Sequence, residues 1–509
     1  MMQFLRMNSC GLHLLVAVML LATAGGATAD IQLPNIFSNS MVLQRDQKNR
    51  VWGHADAGEK VTVTIGNQSH RAVTDNDGNW HVMLAPLSVG EPLTLTVKGK
   101  NEISFEDVLV GEVWICSGQS NMAMSVNSSN DADLERAAAD FPQIRMINFP
   151  RVGTQHPVWT HNGSSWMVCT PETVGQFSAV GYFFGRQLHQ TIDVPIGLIN
   201  NAWGGSACEA WVNRSLLKAD PAYQPMLERW GAMQTSYDVL KAKPSLEDGE
   251  KKQLAGFQRQ LSGNHNPSNI YNGVLKSHLG YGIRGAIWYQ GESNAGRAYQ
   301  YRDLFPLMIS NWRDEWDQGN FPFYWVQLAD FRNESTDPGE SSWAELREAQ
   351  TMTMDKLDNT GEAVIIDTGE GYDIHPKDKQ TVGRRLARWA LARQYGVNIP
   401  CQSPRYNSME ASGNMITLTF DHLLNGWRPF DVREARGFAI AGEDKKFVWA
   451  DAKILKDGRV QVSSKDVAAP VAVRYGWAEN PVLNMFNNSG LPLTPFRTDD
   501  WPGVTVDAK

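Results

Sequence analysis

Cysteine is scarce in this chain. Five occur in 509 residues, at Cys10, Cys116, Cys169, Cys208 and Cys401, and no two are spaced as CxxC. A structural zinc site draws on paired thiolates or thiolate–histidine sets, so no metal is expected. An excess of positive charge is also missing. The formal net charge is −8, with Lys and Arg scattered rather than clustered, which argues against nucleic acid and anionic membrane surfaces as partners. After residue 30 no apolar run is long enough to cross a bilayer. No short-period repeat and no low-complexity tract is visible.

The first 29 residues read as an address. Arg6 precedes the apolar run from Leu12 to Ala22, and small residues follow as far as Ala27-Thr28-Ala29. That pattern predicts a secretory signal over 1–29, cleaved before Asp30, and hence export to the periplasm or the medium. Four cysteines would remain. An oxidising compartment permits disulfides, but four cysteines allow three full pairings and their spacing selects none. Aromatic residues are plentiful, with 18 Trp. Exposed Trp can stack on sugar rings, and buried Trp simply fills a core.

The mature chain, about 480 residues, is long enough for roughly three domains. Over 30–105 the alternation of Val61, Val63 and Ile65, of Trp80, Val82 and Leu84, and of Leu93, Leu95 and Val97 predicts a small β-sandwich, with Asp77-Gly78 as a hairpin turn. From 106 to 396 apolar strands (Val113–Ile115, Arg145–Phe149, Ile196–Asn200, Gly285–Tyr289, Phe323–Leu328, Ala363–Asp367) alternate with helical stretches (Ala179–His189, Tyr301–Trp316, Lys377–Tyr395). This is the α/β pattern of a central parallel sheet flanked by helices. A charged, helix-prone insertion covers 214–263. A second β-sandwich is expected over 397–483, with Asp457-Gly458 as a hairpin turn, and a tail over 484–509 that packs back on the core.

In such sheets chemistry gathers at the carboxyl ends of the strands. Four segments fall there. Cys116-Ser117-Gly118-Gln119-Ser120-Asn121-Met122 presents one hydroxyl, Ser120, beside the Asn121 amide. Asn201-Ala202-Trp203-Gly204-Gly205-Ser206 exposes backbone N–H groups without a side chain in the way. Gln290-Gly291-Glu292-Ser293-Asn294 brings an amide that could donate to an oxyanion. Asp373-Ile374-His375-Pro376 places a histidine just ahead of a helix, with Pro376 suited to its first turn. A serine at neutral pH needs a base and an oxyanion site, and four strand ends could supply both. Gly118-x-Ser120-x-Met122 lacks the second glycine of the nucleophile elbow, which argues against an ordinary α/β-hydrolase and against a lipase.

The motifs Gly118-Gln119-Ser120-Asn121-Met122, Trp203-Gly204-Gly205, Trp288-Tyr289-Gln290-Gly291-Glu292-Ser293-Asn294 and Asp373-Ile374-His375-Pro376 resemble those of the sialate O-acetylesterase family of SGNH-type carbohydrate esterases. The resemblance spans essentially the whole mature chain. It implies an SGNH hydrolase core with accessory β domains, removal of O-acetyl groups from carbohydrates, and no cofactor. It further implies Ser120 as nucleophile, His375 as general base, and oxyanion donors at the Ser120 N–H, at Gly204 or Gly205 (Gly205 preferred), and at the Gln290 side chain. Asn121, Trp203 and Glu292 are the residues expected to line the sugar pocket. The family pattern commonly has its acid three residues before the histidine. Tyr372 stands there, so Asp373 is taken as the triad acid, with Asp367, Glu370 or a backbone carbonyl as alternatives and a helix cap as its structural role. The substrate is an O-acetylated carbohydrate, either a sialic acid or a plant polysaccharide such as xyloglucan or xylan. A non-catalytic carbohydrate-binding protein on an esterase scaffold is the reading from another class.

Overall fold

A computed structural model describes residues 30–424 and 426–508; the secretory signal expected over 1–29 lies outside them. Six parallel strands form the centre of the molecule, in the order Thr360–Ala363, Phe323–Val326, Gly285–Tyr289, Glu102–Gly118, Ile196–Asn200 and Phe141–Asn148. Met167–Cys169 adds an antiparallel edge strand, so the sheet is mixed rather than wholly parallel. Its apolar strands are covered on both faces, because successive side chains point to opposite sides. Val113, Ile115, Ala286 and Trp288 face the helices Ala298–Trp316 and Ser342–Lys356. Trp114, Cys116, Ile287 and Tyr289 face the helices Ala179–Ile192 and Lys379–Arg393. Trp114, Trp288, Trp312 and Trp325 are fully buried, the core role for this residue type.

Glu102–Gly118 is seventeen residues long and serves two structures. Its first half pairs antiparallel with Leu93–Lys98, which continues into Lys60–Ile65 and Gln68–Val73. Its second half is the middle of the parallel sheet. Glu112, fully buried at the change-over, accepts hydrogen bonds from Arg45 Nε at 2.5 Å, Arg284 Nε at 2.7 Å and Gln44 Nε2 at 3.0 Å. One carboxylate thereby joins the amino-terminal strands to two central ones.

Two expectations are corrected here. Asp77-Gly78 does not close a hairpin. Asn79–Leu84 pairs with Asn49–His54, while Gln68–Val73 pairs with Lys60–Ile65. The Asp75 carboxylate accepts the N–H groups of Asp77 and Asn79 at 2.9 and 2.8 Å, and the resulting turn passes the chain from one sheet to the next. The last parallel strand is Thr360–Ala363 rather than Ala363–Asp367. It carries Glu362, buried and held by Trp325 Nε1 at 3.2 Å and Thr351 Oγ1 at 2.8 Å, so it lacks the apolar signature of a buried strand. The run Val364–Ile366 is buried as irregular chain. The four cysteines of the described chain, Cys116, Cys169, Cys208 and Cys401, are all free thiols.

After residue 404 two four-stranded antiparallel sheets pack around Ile416, Leu418, Phe438, Ile440, Val460, Val462 and Val473. They attach to the centre through Arg347, fully buried, whose guanidinium donates to the carbonyls of Leu328, Ala329, Ala478 and Glu479 at 2.6–2.9 Å. The chain then returns to the core. Glu345 accepts the Val504 N–H at 2.6 Å and the Thr505 N–H at 3.2 Å. No helix among the described residues is long and apolar enough to cross a membrane.

Removing the Glu112 carboxylate leaves Arg45 and Arg284 crowded without their shared partner. Glu112→Ala is expected to lower unfolding stability by about 3 kcal/mol, measured by urea denaturation.

Candidate active site

The strand Glu102–Gly118 stops where it does because of Gly118. Its φ of +130° suits glycine, and a Cβ there would overlap the Tyr289 carbonyl of the neighbouring strand. The Gln119 N–H then bonds that same carbonyl at 2.9 Å, and Ser120 opens the short helix Ser120–Ala123. Ser178, the N-cap of helix Ala179–Ile192, donates to the Met122 carbonyl at 2.6 Å and fixes the end of that turn.

The second loop lies directly against it. The Trp203 N–H bonds the Gly118 carbonyl at 3.0 Å, and a Cβ on Gly204 would stand 3.4 Å from the Ser120 Cβ. Three groups grip the outer side of this loop. Asn264 Nδ2 donates to the Gly204 carbonyl at 2.5 Å, His265 Nε2 lies 2.7 Å from the Gly205 carbonyl, and Ser293 Oγ donates to that same carbonyl at 2.9 Å. Asn264 and His265 follow the helical insertion, built of Arg214–Ala219, Gln224–Lys241 and Asp248–Leu261. With its carbonyls held outward, the loop leaves both the Gly204 and the Gly205 N–H without a protein acceptor among the described residues. The Ser120 N–H is equally unengaged.

Gln290 occupies a different place from the one expected. It is fully buried. Its Nε2 donates to the Ser206 carbonyl at 3.0 Å and to Asn294 Oδ1 at 2.7 Å, and its Oε1 accepts from Tyr301 Oη at 2.9 Å. Both amide protons are taken, so the side chain supports the Gly204-Gly205-Ser206 loop from beneath and has no proton left for an oxyanion. Asn294 passes the chain of bonds on to Glu209, which Arg297 neutralises at 2.6 Å.

Asn121 also faces inward. It is 1% exposed. Its Nδ2 donates to Glu292 Oε1 at 2.7 Å and to the Ile374 carbonyl at 3.0 Å, and its Oδ1 accepts from Lys379 Nζ at 2.6 Å. Both amide protons go to protein acceptors and Oδ1 accepts from a buried lysine, so the side chain is turned to the interior. What Asn121 does is join the serine turn to the histidine loop. Glu292 pairs with no arginine; its second carboxylate oxygen is buried without a partner. Burial pushes the Glu292 carboxyl up, against the bond from Asn121 and the charge of Lys379. Trp203 is half-buried and packs on the main core.

Of the candidates for the acid beside His375, two are committed elsewhere. Asp367 makes a bidentate pair with Arg385 at 2.5 and 2.7 Å. Glu370 accepts the Lys377 N–H at 2.9 Å. Asp373 remains, its Oδ1 3.4 Å from His375 Nδ1 and accepting the His375 backbone N–H at 2.9 Å. That backbone bond, with the nearby imidazole and Lys377, holds the Asp373 carboxyl below its ordinary range. Tyr372, at the position where the acid commonly stands, is 96% exposed. Lys379 went unnoticed in the sequence. A cation at the first position of a helix opposes the helix dipole, and that misplacement was the available signal. Among the described residues no cluster of three or more His, Cys, Asp or Glu is placed to hold a metal ion.

The turn bearing Ser120, the Gly204-Gly205 loop and the loop bearing His375 thus lie together at the carboxyl edge of one sheet, where enzymes of this topology carry their sites. Comparison with known proteins gives the class. A family model described as carbohydrate esterase, sialic acid-specific acetylesterase, matches residues 110–243 and 259–391; the gap falls at the tip of the helical insertion. The sialate O-acetylesterase of Mus musculus is 30% identical over 96% of this chain and 97% of its own length. The Homo sapiens enzyme is 28% identical over 96% and 97%. The crystal structure of a carbohydrate acetylesterase from Xanthomonas citri is 37% identical, covers 93% of this chain and 100% of its own, and superposes with a TM-score of 0.80. The protein is a carboxylic ester hydrolase. More narrowly, the chain belongs to the sialic acid-specific acetylesterase family of carbohydrate esterases.

Gly118→Ala combines a positive φ with a backbone overlap at the nucleophile turn. It is expected to cost about 2 kcal/mol or more of stability and to depress ester hydrolysis, checked by thermal unfolding and by turnover of an acetyl ester.

Proposed function

We propose that the chain is an exported serine esterase of the SGNH type that removes O-acetyl groups from carbohydrates, with Ser120 as nucleophile and His375 as general base. The observation that carries this reading is the Asn121 amide, which ties the turn bearing Ser120 to the carbonyl next to His375 at 3.0 Å. His375 takes the Ser120 proton as Oγ attacks the acetyl carbonyl carbon. The negative charge that develops on the carbonyl oxygen is held by the Ser120 and Gly205 N–H groups, which have no acceptor of their own. As the tetrahedral intermediate collapses, the ester C–O bond breaks and the imidazolium protonates the departing sugar oxygen. Water, deprotonated by the same imidazole, then attacks the acetyl-serine, and acetate leaves as Ser120 regains its proton. Asp373 orients the imidazole through Nδ1. Trp203 and Glu292 border the place where the sugar enters.

The relatives named as sialate O-acetylesterases favour an O-acetylated sialic acid as substrate. Acetate release measured across O-acetylated sialic acid, xyloglucan, xylan and pectin tests that choice. A clear preference for the sialic acid is expected, and equal rates on all four would defeat it.

Ser120→Ala is expected to lower turnover by a factor on the order of 10⁴, with His375→Ala close behind. Undiminished acetate release by Ser120→Ala would end the acyl-enzyme reading. Asp373→Ala should be milder, about tenfold, because a half-exposed carboxylate is screened by water. The downward shift of the Asp373 carboxyl keeps it ionised at neutral and mildly acidic pH, its charge being lost only as pH falls through that lowered value. The ratio of wild-type to Asp373→Ala turnover should therefore stay flat from about pH 5 to 8, as read from parallel pH–rate profiles.

A further inference from the structure

Lys379 is fully buried at the first position of helix Lys379–Arg393. A buried ammonium is expensive unless it is paired, yet among the described residues no carboxylate forms a salt bridge with it. Its Nζ donates to Asn121 Oδ1 at 2.6 Å and lies over the Tyr289 ring, 5.2 Å from the centroid. The Asn121 amide passes the polarity on, its Nδ2 donating to Glu292 Oε1 at 2.7 Å and to the Ile374 carbonyl at 3.0 Å. Asn121 follows Ser120 and Ile374 precedes His375. We infer that Lys379 is a positioning residue for the reaction: acting through Asn121, it holds the serine turn and the histidine loop at a fixed separation.

An amide hydrogen-bonded at both ends cannot rotate. If Lys379 Nζ is removed, Asn121 Oδ1 becomes a buried acceptor without a partner, and the amide is drawn from its place against Glu292 Oε1 and the Ile374 carbonyl to find one. The loop carrying His375 then loses its tie to the serine turn. Lys379 makes this bracket one-directional. The carboxylates that act on it from its surroundings are Glu292, Glu370, Asp373 and Asp378; burial outweighs them and pulls the ammonium down to about 7. Either protonation state keeps an N–H for Asn121, so the bracket survives loss of the charge.

The inference rests on Ser120 and His375 being the reacting pair, and the experiment separates the two ideas. kcat and KM for an acetyl ester are measured on the full chain for wild type, Lys379→Met, Asn121→Asp, the double variant and Ser120→Ala. Met fills the volume of the lysine stem without its donor. Asp at 121 keeps an acceptor for Lys379 but loses the donor to Ile374. Lys379→Met and Asn121→Asp are each expected to lower kcat at least tenfold with KM within about twofold, and the double variant to be no slower than the worse single one, as for residues acting through one interaction. Wild-type kcat in Lys379→Met, a loss confined to KM, or multiplicative losses in the double variant would overturn the role of Lys379. Should Lys379→Met fail to accumulate as folded protein, Asn121→Asp alone decides by the same split between kcat and KM. Activity retained by Ser120→Ala would instead sink the nucleophile assignment, whatever the lysine variants show.

Discussion

Everything in this molecule is arranged around a strand that is buried on both faces and cannot be moved. Glu102–Gly118 begins as an edge partner in an antiparallel unit and ends as the middle of a parallel sheet. Burial on two faces forces its second half to be apolar or internally satisfied. Glu112 meets that demand with two arginines and a glutamine drawn from two distant segments. The strand therefore arrives at Gly118 with no freedom in register, and the turn to Ser120 inherits that rigidity. A site on the end of such a strand is held more tightly than one on a free loop.

The loops around Ser120 are fixed by polar groups that bond to their backbone and to one another. Gln290 and Asn294 support the glycine loop from below, Asn264, His265 and Ser293 hold its carbonyls from outside, and Asn121 joins the serine turn to the histidine loop. The result is a glycine loop whose carbonyls are turned outward and whose conformation is fixed largely by buried amides.

Much of this was legible beforehand. Ile196–Asn200 and Gly285–Tyr289 were located to the residue, because continuous apolar runs bounded by Asn, Gly and Gln have no other reading. Ser120, Gly205 and His375 stood out as small or polar groups at the ends of such runs. The strand Thr360–Ala363 was misplaced because it buries Glu362, whose partners Trp325 and Thr351 are distant in sequence. The roles of Asn121 and Gln290 were illegible for a related reason. An amide next to a nucleophile looks the same on paper whether it faces a ligand or the interior, and only its three-dimensional partners separate the two. Lys379 shows the converse case, in which a charge set against local preference marked a buried interaction that no periodicity reports.

The return of the chain end to Glu345 has a bearing on how the protein comes into being. Glu345 lies in helix Ser342–Lys356, whose Gln350 donates to the Gln290 carbonyl and accepts the Leu328 N–H. Its carboxylate is completed by Val504 and Thr505, a few residues from the terminus. Synthesis runs from the amino end, so the serine turn leaves the ribosome some 380 residues before the groups that finish that helix. The early β-rich segment can fold as it emerges, as domains of nascent chains do. Helix Ser342–Lys356 therefore gains its last hydrogen bonds only once the segment around Val504 has been made, well after the sheet it covers.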